Sequence, residues 1–180
     1  MSTSLEAQRT FLGAQVPTGP SPAPGGINGA YIALLEKTGP AIFVGWSGGG
    51  SLGQNLVLAR PDLFRAFVSL EATGSCLPNP GGTPPAIVDP NLVDALVDND
   101  IPFLNVNGST GHSNRQGPFP GLAQMVCQAL IDQILAAGGD ATQIQLPDFG
   151  LVGHSHMYFW ENDSDQIAQI VIDWIGGHVK

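Results

Sequence analysis

The five residues Gly45-Trp46-Ser47-Gly48-Gly49 constrain this chain more than any other stretch. Ala41-Ile42-Phe43-Val44, directly before them, is an uncharged apolar run that reads as a buried strand. Gly50 to Arg60 follows, with Leu52, Leu56 and Ala59 at helical spacing. A chain that goes from strand to helix through Gly-x-Ser-x-Gly must turn sharply at the serine. Small neighbours relieve the crowding, so Gly45 and Gly49 are expected to supply the room. The Ser47 hydroxyl is then lifted above the carboxyl ends of the strands. The amide of Gly48, at the first helical position, points to where an anionic oxygen would form. The bland alternative is a glycine-rich loop that binds phosphate or nothing; the flanking strand and helix favour the exposed serine.

The rest of the chain has to bury that strand. At 180 residues it is one domain, large enough for a proper core, and its 43% apolar and 12% charged residues fit a soluble globular protein. A net charge of -9, with no basic cluster, argues against nucleic acid or an anionic membrane as partner. No apolar run approaches the length of a membrane span. Residues 1–15 lack a signal peptide's apolar core, so a cytoplasmic location is the default; a secreted or periplasmic one applies if the chain is truncated at its front. The spacing of Cys76 and Cys127 has no metal-site character and leaves their pairing open.

Residues 1–26 are expected to be a flexible segment, with Pro17, Pro20, Pro22 and Pro24 forming a linker or lid-like loop, and 27–180 the folded unit. Ile27 to Thr38 reads as a helix with Ile27, Tyr31, Leu34 and Leu35 on one face, stopped by Gly39-Pro40. Strands are expected at 66–71, 101–106 and 142–146, and helices at 92–97 and 119–137. In the latter, Leu122, Val126, Leu130 and Ile134 recur every four residues. A last helix begins at Asp163-x-x-Gln166, which resembles a capping box, and ends at Gly176-Gly177. Strands alternating with helices of this length mean a parallel α/β sheet with right-handed crossovers.

A serine hydroxyl needs a histidine base, oriented in turn by a carboxylate. His154 and His156 lie together on the loop after the last strand, with His156 favoured as base and His154 as the alternative or a pocket residue. His112 and Trp46 are candidate pocket residues, and His178 reads as a tail residue. The loop 107–114 after the third strand contains no carboxylate. Glu71 ends the preceding strand on the same rim as Ser47, and burying its charge requires a partner such as an imidazolium. Asp89, Asp98, Asp100 and Asp148 would reach the site only by unusual paths.

These pieces together resemble the α/β-hydrolase superfamily, in particular bacterial esterases whose acid is a Glu after the strand that follows the serine turn. The matching stretches are Gly45–Gly49, Ala59-Arg60-Pro61, Leu70-Glu71, and Ser155-His156-Met157 leading to Asn162–Ile167, within residues 27–175. The resemblance implies Ser47 as nucleophile, His156 as base, Glu71 as acid and no metal or organic cofactor. It departs at the front. A complete fold carries about four strands before the serine, with a loop that completes the oxyanion hole. Only 46 residues precede Ser47, without a strand-like run. The expected fold is therefore a partial α/β-hydrolase, about four parallel strands with flanking helices, resembling the carboxyl-terminal half.

Two functions follow. One is a serine hydrolase of small neutral or modestly apolar carboxylic esters. The other is a non-catalytic half-domain that needs a partner chain, with a homodimer formed through the exposed edge of the 41–44 strand.

Overall fold

A computed structural model describes residues 25–76, 88–108 and 122–179. The segment 1–24, expected to be flexible, lies outside these, as do residues 77–87 and 109–121 with the start of the helix expected at 119–137. Five helices and four strands alternate along the described chain: α1 (Gly26–Thr38), β1 (Ala41–Trp46), α2 (Gly48–Ala59), β2 (Phe64–Leu70), α3 (Pro90–Asp98), β3 (Phe103–Asn107), α4 (Leu122–Ala136), β4 (Ala141–Gln145) and α5 (Ser164–His178). The strands form one parallel sheet in the order β1-β2-β3-β4. Sequential order with helical crossovers puts every strand's carboxyl end on one rim.

Alternation along the strands divides the core between the two faces of the sheet. Phe67 and Phe103 pack with Leu56, Leu92, Leu96, Leu130 and Ile134 from α2, α3 and α4. Val68, Leu104 and Val106 pack on the other face with Tyr158 and with Ile167 and Trp174 of α5. Each fully buried Leu or Phe contributes roughly 1.5–3 kcal/mol, so β2 and β3, covered on both faces, are the rigid centre of the sheet.

The elements fall where the periodicities put them, with shifts at the ends. The strand expected at 101–106 starts later, because Ile101-Pro102 leads into β3 without belonging to it. α5 runs through Gly176-Gly177 to His178, whose Nδ1 lies 2.7 Å from Asp140 and whose ring stacks on Trp174 at 4.6 Å. That packing carries the helix past two poor helix formers and makes His178 part of the fold rather than a tail. The proposed apolar face of α1 is only partly used: Leu35 is buried, whereas Ile27 and Leu34 are more than half exposed.

β1 lies at an edge of the described sheet, as expected, but it is less buried than its apolar run suggests: Val44 is 51% exposed. Its pairing with β2 slips once, between Ala41 and Ile42, an irregularity that the sequence did not announce. Cys76 and Cys127 are joined by a buried disulfide that ties the turn after β2 to α4.

Candidate active site

The residue between β1 and α2 is Ser47, the cap position of the helix, with φ 52° and ψ -122°. Its amide donates to the carbonyl of Leu70 at 3.1 Å, and its carbonyl accepts from the Gly50 amide at 3.0 Å. The serine is thus pinned between the end of β2 and the first turn of α2 in a backbone region that L-residues avoid, at a cost of about 1–3 kcal/mol. The room for this turn comes from Gly45 but not from Gly49. A Cβ at Gly45 would sit 2.6 Å from the Gly49 carbonyl oxygen and 2.9 Å from the Phe43 ring. One at Gly49 would meet nothing within 4 Å. The second crowded glycine is Gly50, where a Cβ would overlap the Ala72 methyl. The five-residue pattern could not reveal this, because the conflict is with the segment after β2.

Glu71 follows β2 directly and also has a left-handed backbone, φ 51°. It is 1% exposed. One carboxylate oxygen accepts from the Gly108 amide just beyond β3. The other lies 3.6 Å from Nδ1 of His156, an ion-pair distance somewhat longer than a hydrogen bond. Tyr158 lies fully buried nearby and donates to the Val106 carbonyl at 3.4 Å. Burial, and after it the charge of Glu71, pushes its phenol well above the usual range, so it stays a neutral donor.

His156 is held by the residue next to the serine. The Trp46 indole donates to the His156 carbonyl at 2.9 Å and its ring lies 4.8 Å from the imidazole. Trp46 in turn pairs with Leu70, the residue before Glu71. Ser47 and Glu71 thus lie at the carboxyl ends of the adjacent strands β1 and β2, and His156, from the loop beyond β4, reaches Trp46 and Glu71.

His154 does something else. It is 3% exposed, with Nδ1 2.6 Å from Glu161 and Nε2 3.2 Å from Asp163. The other Glu161 oxygen accepts from the Ser155 amide at 3.0 Å and from the Ser155 hydroxyl. Burial works to raise the Glu161 carboxyl, but the hydrogen bonds from Ser155 and then His154 outweigh it and hold the group below the ordinary carboxylate range. Asp163 occupies the cap position of α5 without making a side-chain cap bond, contrary to the capping-box reading. His154, Glu161 and Asp163 are the one set among the described residues whose spacing could hold a cation. Their ligand atoms approach within 4.8 Å of one another. Here Glu161 and Asp163 face opposite nitrogens of the His154 ring.

His112 lies outside the described residues, as does any pocket wall formed by 109–121. Of the carboxylates set aside, Asp89 caps α3 by accepting from the Asn91 amide at 3.0 Å, and Asp98, Asp100 and Asp148 are exposed. A cavity of about 390 Å³ lies at the opposite pole, lined by Arg65, Asp100, Asp140 and His178 where the strands begin. It touches none of the serine-rim residues.

No family model matches the chain. A probable secreted lipase, phiG, from a fungal species (strain ATCC 74256) is 24% identical over 81% of this chain and 48% of its own length. A bacterial esterase solved at atomic resolution aligns with a TM-score of 0.73 and 27% identity, covering 97% of this chain and 50% of the esterase. The chain thus spans about half the length of these relatives. Its four-stranded α/β fold is similar to that of the esterase, in keeping with the resemblance to α/β-hydrolases.

Proposed function

We propose that this chain carries the reactive centre of a serine esterase, with Ser47 as nucleophile, His156 as base and Glu71 as acid. One observation carries the reading: a fully buried carboxylate, held by the Gly108 amide, lies 3.6 Å from the imidazole that packs on Trp46, the residue before the strained serine. The lipase and esterase among the relatives support carboxylic esters as the substrate class.

In this mechanism Glu71 accepts a hydrogen bond from Nδ1–H of His156, staying ionised, and so leaves Nε2 free to take the Ser47 proton. The 3.6 Å separation shortens once the ring becomes an imidazolium, since such contacts tighten when substrate is bound. Ser47 Oγ attacks the ester carbonyl carbon, and the resulting oxyanion is stabilised by the Gly48 amide at the start of α2. His156 returns the proton to the leaving alkoxide, and water then hydrolyses the acyl-enzyme by the same path in reverse. A second oxyanion donor is needed for full rate; its loss typically costs about 10²–10³-fold.

A fluorophosphonate probe tests the assignment. It should label Ser47 and no other serine, with labelling abolished by Ser47→Ala and slowed by about 10³–10⁴-fold in Glu71→Gln, which keeps the acceptor for Gly108 but not the charge. Labelling that survives Ser47→Ala, or an unslowed Glu71→Gln, overturns it.

The edge position of β1 favours a second reading. An apolar strand with one edge unpaired among the described residues is a template for another chain. On this reading the chain is an α/β half-domain that forms a strand-paired homodimer and hydrolyses esters poorly alone. Light scattering together with an ester assay separates the two: a monomer with ordinary turnover removes the second reading.

A further inference from the structure

We propose that Glu161 and Asp163, acting through His154, are positioning residues that hold His156 toward Glu71; the proposal rests on the esterase reading for its purpose but not for its test. The loop carrying His156 is fixed only by the short 3-10 turn Tyr158–Trp160 and by the Trp46 bond to the His156 carbonyl, so its side-chain ties also decide where the ring sits. Glu161 is the hub of those ties. It accepts from the amide and hydroxyl of Ser155, and the same hydroxyl accepts from the Met157 amide at 3.1 Å. The residues on both sides of His156 are thus fastened to one carboxylate, directly or through one oxygen.

His154 locks the hub to its surroundings. Its Nδ1 lies 2.6 Å from Glu161 and its Nε2 lies 3.2 Å from Asp163, so the ring is braced between two carboxylates. On its backbone side it packs against Gly108, where a Cβ would lie 3.4 Å from both its Cβ and its carbonyl oxygen. Gly108 is the residue whose amide holds Glu71. His154 therefore connects the acid's donor to the start of α5, across the loop that carries the base. Asp163 supports this reading by what it gives up. An N-cap side-chain bond typically contributes about 1 kcal/mol, yet its carboxylate turns to His154 instead of capping α5.

The test uses Glu161→Gln, which keeps an acceptor for Ser155 but sets an amide against His154, and Asp163→Ser, which offers α5 a better cap while removing the carboxylate from His154. Histidine ring-nitrogen NMR of the full chain reads the base directly, whether or not esters turn over. Both variants are expected to shift and broaden the His156 ring signals. In Asp163→Ser the melting temperature should hold or rise while fluorophosphonate labelling of Ser47 slows by about tenfold, since small misplacements of a reacting group are costly. Unchanged His156 signals in both variants overturn the proposal. So does saturable Zn²⁺ binding that perturbs His154 and is lost in Asp163→Ser, which would make the cluster a ligand set. A wild-type chain that the probe never labels refutes the esterase reading alone, because the NMR outcome stands apart from it.

Discussion

Gly45 and Gly49 look equivalent in the motif, and exchanging each for alanine should separate them sharply. At Gly45 the new methyl would lie 2.6 Å from the Gly49 carbonyl oxygen and 2.7 Å from its carbon. Ordinary C···O approach is about 3.3 Å, so the turn must open by roughly 0.7 Å. The neighbour is backbone and cannot rotate away, and Phe43 blocks retreat on the other side at 2.9 Å. Overpacking of this kind costs about 1–3 kcal/mol. At Gly49 a methyl meets nothing within 4 Å, and the residue lies in the first turn of α2. Gly→Ala there should stabilise by up to about 0.5–1 kcal/mol through helix propensity and a less flexible unfolded chain. The two variants should therefore differ by about 1.5–4 kcal/mol, or roughly 3–16 °C in melting temperature for a domain of this size. Thermal unfolding followed by circular dichroism measures the gap. Gly45→Ala melting with the wild type, or Gly49→Ala falling as far as Gly45→Ala, would refute the crowding argument.

Two further outcomes follow from the packing. Replacing Cys76 and Cys127 by alanine removes a link across 51 residues of sequence and should destabilise by about 2–4 kcal/mol, seen as a melting temperature lower by roughly 4–16 °C. Glu161 has its carboxyl lowered in the folded state, so its contribution to stability is fully present above the unfolded value of about 4.3 and is lost as pH falls through the lower folded value. Melting temperature measured from neutral pH into acid should drop less steeply below that point in Glu161→Gln than in the wild type, and parallel curves would count against the hydrogen-bonded hub.

What the sequence made legible is what depends on local pattern. The Gly-x-Ser-x-Gly turn between an apolar run and a helical period marked Ser47, and Leu130 and Ile134 of α4 are buried where their spacing put them. Glu71 was legible by elimination, as the one carboxylate at a strand end on the serine's rim. What escaped was set by contacts between distant segments. Gly50 is required by Ala72, and Trp46 grips the backbone of a residue 110 positions away. Asp163-x-x-Gln166 resembles a capping box, but such a cap is a preference of about 1 kcal/mol, and the Asp163 carboxylate lies 3.2 Å from the His154 ring instead of capping α5. His178 was misread because stacking on Trp174 and pairing with Asp140 leave no mark in local sequence.

The left-handed backbone at Ser47 and Glu71 bears on how such a chain can change over generations. Among the described residues only Ser47, Glu71 and Asp100 have positive φ without being glycine. At Ser47 a glycine would adopt the same turn without the strain, gaining roughly a kilocalorie per mole or more. A chain released from catalytic duty has that substitution open to it as a route to greater stability, through a single codon change at the serine. Pseudoenzymes of this fold should therefore drift toward glycine at the position of Ser47.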